Sequence, residues 1–146
     1  MIVLRPISDA YTELLLSKCN MSSEDVNRLM AASDSGLYEN KYFKMFVVLE
    51  GELCVGTISL YEHSASVVSV GPEIFEEYRR RGYATEAMKT AMDIAKSKGY
   101  KIVCQQIRTN NSASIKLHTK LGFETDDVIY VNRNNNEVNV YLKPLW

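Results

Sequence analysis

Apolar and polar positions change period several times along the chain. Between Phe43 and Ile74 the apolar positions are dense and rich in β-branched residues, with breaks at Glu50-Gly51-Glu52 and at His63-Ser64. This pattern predicts three antiparallel strands, over about 43–49, 53–62 and 66–74. From 82 to 98 the period becomes helical: Ala84, Ala87, Met88, Ala91, Met92, Ile94 and Ala95 share a face, and Gly99 follows as a C-cap. Upstream, "MIVLR" reads as a strand closed by Pro6, and "SDAYTELLLSKC" as a helix that Ser8 or Asp9 can cap. "SSEDVNRLMAAS" predicts a second helix with Ser22 or Ser23 as cap and Val26, Leu29 and Met30 on one face, and "DSGLYENKY" reads as a loop. Downstream come a strand in "YKIVCQQI", a helix in "NSASIKLHTKL" stopped by Gly122, and a hairpin in "VIYVNRNNNEVNVYL" turning on the asparagines 134–136.

The order is therefore β-α-α-β-β-β-α-β-α-β-β, a mixed α/β fold. No repeat or linker interrupts it, so residues 1–146 are expected to form a single domain. No apolar run approaches the roughly 20 residues of a membrane span, and "MIVLRPISDAY" lacks the layout of a signal peptide, which together suggest the cytoplasm. Cys19, Cys54 and Cys104 lie too far apart for a zinc site and are odd in number, so they read as buried free thiols, with no metal expected. The balance of 17 basic and 18 acidic side chains argues against a nucleic acid or membrane partner held by bulk charge. Any anion site must be local.

Two strand-to-helix junctions, at 74–85 and at 107–112, are where ligands gather in such sheets. The first reads "EEYRRRGYATEAM". The first turn of a helix leaves four N–H groups without intrahelical partners and carries about half a positive charge, so it attracts an anion. Gly82 allows close backbone approach, and Arg79, Arg80 and Arg81 add guanidinium groups able to fork onto phosphate oxygens. A pyrophosphate suits this junction, although the glycines of a Walker loop or a dinucleotide fingerprint are missing. The arginines taken alone also read as a solvated turn. At the second junction Asn111, Ser114 and His118 fall on one helix face together with Leu117 and Leu121. Polar groups on an inward stripe need partners, from a ligand or from the protein, and Asn111 could equally be a simple cap.

Together these segments resemble the GNAT superfamily of acetyl-CoA-dependent N-acetyltransferases. Arg79-Arg80-Arg81-Gly82-Tyr83-Ala84 matches its Arg/Gln-x-x-Gly-x-Gly/Ala signature, and Asn111-x-x-Ser114-x-x-Leu117-His118-x-Lys120-Leu121-Gly122-Phe123 is similar to its later motif. "GYATEAM" and "KLGF" look most like the ribosomal-protein alanine acetyltransferase branch. The resemblance implies a mostly antiparallel central sheet of about seven strands with helices on both faces. It also implies that backbone amides from Arg80 through Thr85 hold the pyrophosphate of acetyl-CoA, the co-substrate, with Arg79 as the signature basic residue. Ile74 and Phe75 would offer backbone from a splayed strand to the pantetheine arm and the thioester carbonyl, and Asn111 and Ser114 would line the other side. An amine would then attack the thioester directly. Where many members carry a tyrosine as acid for the departing thiolate, this chain has His118, which is the candidate acid in its place or a residue that merely packs. Glu73 is the candidate base, with Glu62 and His63 as fallbacks and a water as a further alternative.

The resemblance implies an amine on a small molecule, a protein N-terminus or a lysine as acceptor. The region 20–45 holds Glu24, Asp25, Asp34 and Glu39 among Tyr38, Tyr42 and Phe43, a mixture suited to a cationic amine but also to a solvated loop. Two other classes stay open: a catalytically silent coenzyme A sensor or partner-binding module, which the histidine keeps alive, and RNA binding, which the net charge of −1 and the lack of an RNP-like aromatic motif disfavour. The terminal "VNVYLKPLW" reads as an edge on which a homodimer could form.

Overall fold

A computed structural model describes all 146 residues. The strands are β1 (Ile2–Pro6), β2 (Leu37–Tyr38), β3 (Lys41–Glu50), β4 (Leu53–Glu62), β5 (Val67–Ile74), β6 (Ile102–Arg108), β7 (Glu124–Thr125), β8 (Tyr130–Val131) and β9 (Glu137–Pro144). The helices are α1 (Thr12–Lys18), α2 (Ser23–Ser35), α3 (Tyr83–Ser97) and α4 (Ser112–Lys120), with short 3-10 turns at Asp9–Tyr11 and Glu76–Tyr78. The sheet runs β1-β3-β4-β5-β6-β9-β7, with β2 beside β3 and β8 beside β9, and only the β5–β6 pair is parallel.

The expected order holds, and the departures have local causes. The first helix begins later than expected, because Ser8 makes no side-chain cap and the chain enters through the 3-10 turn. Ser22 does cap α2, accepting from the Asp25 amide at 3.1 Å. The stretch read as a loop after α2 contains β2, which turns into β3 through Glu39 and Asn40, both at positive φ. The terminal segment is not a sheet edge: β9 lies inside the sheet, flanked by β6 on one side and by β7 and β8 on the other. The three cysteines are free and half-buried rather than buried. No helix is long and apolar enough to cross a membrane.

The sheet separates two cores. On one face α3 sets Ala87, Met88, Ala91 and Ala95 against Val48, Ile58, Leu60 and Val70. Its alanines let the helix approach the sheet closely, as its contacts with β5, β1 and β4 require. On the other face Leu15 and Val26, from α1 and α2, cover Met45, Val47 and Leu49 of β3. That second cover stops at β3. Strand alternation and register put Ser59, Tyr61, Ser69 and Gly71 on the same face further along the sheet, where small and polar residues leave a hollow.

Val55 is an extra residue between the pairs Val48–Gly56 and Leu49–Cys54, and this bulge turns its carbonyl to the Phe75 amide at 2.9 Å. Beside it, a Cβ on Gly56 would lie 2.3 Å from the Glu73 carbonyl oxygen and 2.9 Å from the Ile74 Cα. Backbone on that side cannot yield without moving the end of β5. Gly56→Ala should therefore destabilise the fold by about 1–3 kcal/mol, lowering the thermal midpoint by several degrees in a calorimetric scan.

Candidate active site

The site begins where β5 and β6 part. The two strands are bridged only at Val67–Ile102 and Val68–Val103; beyond these pairs they diverge into a fork. Because the Phe75 amide is bonded to β4, alternation turns the backbone of Val70, Pro72 and Ile74 toward the fork. At Val70 the gap is filled by a side chain. Gln105 accepts from the Val70 amide through Oε1 at 3.0 Å and donates through Nε2 to the Val70 carbonyl, so its carboxamide replaces a strand. Pro72 has no N–H to offer. The Ile74 carbonyl accepts from Arg79 Nε at 2.8 Å. What remains facing the fork from β5 is the Ile74 amide and the Pro72 carbonyl.

His118 holds Gln105 from behind. Its Nδ1 lies 2.8 Å from the Ser114 carbonyl oxygen, which can only accept, so Nδ1 carries the proton. The lone pair of Nε2 is then free to accept from Gln105 Nε2 at 3.2 Å. The ring is 3% exposed, packs edge-on against Phe123 and leaves no buried polar side-chain atom unsatisfied. Burial lowers its pKa, with the Ser114 carbonyl pulling weakly the other way. The expected thiolate acid is thus a neutral imidazole whose one N–H is already given to its own helix.

The arginine-glycine turn has a geometry that suits an anion. Arg80 and Gly82 both adopt positive φ, at +66° and +84°. Gly82 opens α3 with no side-chain cap, and the first intrahelical bond is Glu86 N–H to the Gly82 carbonyl. The amides of Tyr83, Ala84 and Thr85 therefore have no intrahelical acceptor. They border a cleft of about 620 Å³ that runs from Arg80 and Gly82 along Pro72 and Ile74 to Asn111 and Ser114. Positive backbone ends, the unpaired guanidinium of Arg80 and a strip of open strand suit a long molecule with phosphate at one end and amide groups along its arm.

The sequence candidates divide by position. Arg80, Gly82, Tyr83, Ala84 and Thr85 line the cleft, as do Arg79 and Ile74, although the Arg79 guanidinium is tied to the strand. Arg81 does not line it; its guanidinium sits 6.0 Å above the Tyr78 ring. Phe75 is 4% exposed, and its amide is spent on Val55, so it offers nothing to a ligand. Asn111 caps α4, accepting from the Ser114 amide at 3.1 Å, and still borders the cleft. Glu73 is exposed beside Pro72 at the cleft wall. Glu62 accepts from the Tyr100 hydroxyl at 2.6 Å, away from the fork.

A second cavity of about 660 Å³ opens on the other side of the fork and meets the first at Pro72, Ser114 and His118. His63 borders its far end. Ser69 donates its only proton to the Cys104 carbonyl, so His63 Nε2, 2.5 Å from that hydroxyl, is the donor and Nδ1 is free. Burial, with help from Lys41, lowers the pKa of His63. Sequence reading missed Gln105, although it stands between Val103 and Ile107 on the inward face of β6, where a polar side chain is out of pattern.

The sequence matches the family profile described as Acetyltransferase (GNAT) domain over residues 2–124. The chain belongs to that family of acetyltransferases. Solved structures share its fold. They include the enzyme of Salmonella typhimurium that modifies the N-terminal serine of ribosomal protein L7/L12, at a TM-score of 0.79 and 17% identity, covering 99% of this chain and 95% of that one. YncA of Salmonella typhimurium, solved with its cofactor acetyl-CoA, matches at 0.79 and 15% identity over 100% of this chain and 95% of that one. A spermidine N-acetyltransferase SpeG chimera from Vibrio cholerae and hSSAT matches equally at 0.79, with 15% identity over 99% and 95%. No curated protein matches the chain by sequence.

The hydrogen bonds of His118 have a measurable consequence. Nitrogen-15 spectra should show its proton on Nδ1, and the ring should titrate below the usual value of about 6.5. Because the folded pKa is depressed, the unfolded chain binds the extra proton first. Stability contributed by the neutral ring is present above pH ~6.5 and lost as pH falls below it. A ring titrating above pH ~7 would show that the bond from Gln105 is not made.

Proposed function

We propose that the protein transfers an acetyl group from acetyl-CoA to a primary amine by direct attack in a ternary complex. The observation that carries this reading is the fork: partnerless first-turn amides of α3 at one end, an open strip of β5 along the wall, and a second cavity meeting the first at Pro72. Bound there, acetyl-CoA supplies an activated acyl carbon: a C–N bond forms as the C–S bond breaks, the nitrogen gives up two protons to solvent, the first through Glu73, and the sulfur takes one proton from solvent and leaves as the thiol.

The residues have separate tasks in this reading. The amides of Tyr83, Ala84 and Thr85, with Arg80, hold the pyrophosphate. The Ile74 amide is the remaining donor of β5 for the thioester oxygen, and the Pro72 carbonyl is its acceptor for an amide of the arm. Asn111 and Ser114 close the opposite wall. Glu73 takes the ammonium proton. Ser114 and Gln105 leave His118 no N–H for the sulfur, so it serves as a positioning residue that fixes the carboxamide at the base of the fork, and the proton for the sulfur comes from solvent. In this reading the acceleration comes from holding amine and thioester at fixed separation, with no covalent enzyme intermediate. The cytoplasm remains the proposed setting, and a homodimer would not form by strand pairing at Glu137–Val138 or Tyr141–Leu142, where β8 and β7 already flank β9.

Thermal unfolding with acetyl-CoA, with free CoA and with ATP tests the cofactor. Ligand at about 100 times its dissociation constant adds roughly 2.7 kcal/mol, so the midpoint should rise by several degrees with both CoA forms and little with ATP. No rise with either CoA form would falsify the reading. Arg80→Glu should raise the acetyl-CoA KM about tenfold or more through charge reversal at the phosphates, with kcat little changed. Glu73→Gln should lower kcat by about 10²-fold or more, as measured by thiol release, while the rise in midpoint with CoA persists.

A further inference from the structure

The second cavity has a charge pattern that narrows the acceptor. Its floor comes from β5 and β6, and its outer wall from the turn between β8 and β9. Five of its lining residues are carboxamides: Gln105, Gln106, Asn132, Asn134 and Asn136. None carries a carboxylate, and the one permanently charged group is Arg108. Arg108 is exposed at the end of β6 and takes part in no salt bridge. The acidic residues that would suit a cationic acceptor do not line it: Glu24 and Asp25 pair with Arg28 on α2, and Asp25 borders, with Arg28, a hollow beside Tyr38 and Phe43 that adjoins this cavity only at Tyr61.

We infer that the acceptor is an amine whose own chain bears a carboxylate, with the amine at Pro72 and the carboxylate at Arg108. The inference rests on the acetyltransferase reading of the same site. Pro72 and Arg108 stand on the two diverging prongs beyond their last bridge at Val68–Val103, so a bound acceptor spans the mouth of the fork. Glu73, beside Pro72, answers the charge of the reacting ammonium. A second or third ammonium, as on a polyamine, would meet carboxamides and a guanidinium with no counter-charge. A carboxylate there gains a forked partner, and the side-chain carboxamides of Asn134 and Asn136, not engaged as those of Gln105 and Asn132 are, can donate to its remaining lone pairs or pair with adjoining amide groups. The acetyl group passes from sulfur to nitrogen with the proton balance given above. Free amino acids and peptides with an acidic residue near the N-terminus share this chemistry.

The test is initial-rate thiol release by the intact protein with acetyl-CoA and matched acceptors. The set comprises aspartate against asparagine amide, peptides beginning with Asp against the same peptides beginning with Asn or Lys, and spermidine. Carboxylate-bearing acceptors should exceed their neutral partners in kcat/KM by about tenfold or more, as expected for a charged hydrogen-bonded pair. The amino-acid and peptide arms tell the two sources apart. Arg108→Gln should remove that preference by raising the acceptor KM, and Arg108→Lys should restore part of it, while stabilisation by CoA stays as in the parent protein. Preference for spermidine or for the Lys-led peptide, or an Arg108→Gln protein that keeps the original ranking, would overturn the inference. A protein stabilised by CoA that uses neutral amines equally well sinks this inference alone. One that neither binds CoA nor releases thiol sinks the acetyltransferase reading, and this inference with it.

Discussion

Two hydrogen bonds from one carboxamide decide the shape of this molecule's centre. A parallel pair of strands that separates after two bridges leaves backbone groups facing a gap, and buried backbone left without partners costs as much as a lost hydrogen bond. Gln105 answers the first of these groups at Val70, and His118 keeps Gln105 in place by accepting its second N–H. Pro72 then removes one donor by its chemistry, and Arg79 occupies one acceptor by its reach. The fork is therefore an opening whose inner edge is satisfied group by group, and what is left unsatisfied is what a ligand can use.

The order of elements was legible in the chain because apolar periodicity is a local signal. The face of α3 and the extent of β4 could be read residue by residue, since Ala87, Met88, Ala91 and Ala95 repeat at helical spacing and the breaks at Gly51 and His63 bound the strand. The short strands were not legible. β2 and β7 have two residues each and exist through pairing with β3 and β9, so no pattern inside them announces a strand.

At the site, the turn that opens α3 was visible because it depends on neighbours in sequence: a glycine, a helix start and adjacent arginines. The individual arginines were not separable that way. Arg79 turns back to the Ile74 carbonyl and Arg81 turns to the Tyr78 ring, which are differences of side-chain direction within one turn. His118 shows the limit more sharply. Its register in the motif suggested an acid facing the thiolate, while its proton and its lone pair are both engaged by groups it meets only in the fold, one of them on a different strand. The Asn-rich hairpin was likewise read as a turn, and only the folded chain brings Asn132, Asn134 and Asn136 to the wall of a cavity.

Pro72 has a further consequence, for the way the protein behaves before anything is bound. A fork inside a sheet is a pair of internal edges, and an edge with regularly spaced donors and acceptors is a template for any extended chain, including a second copy of the protein. Strand addition needs both groups of every second residue. With Val70 closed by a side chain, Pro72 offering only an acceptor and Ile74 only a donor, β5 cannot propagate a ladder. The same three residues that leave room for a short arm with one amide to give and one to receive make the open centre of the sheet a poor seed for aggregation.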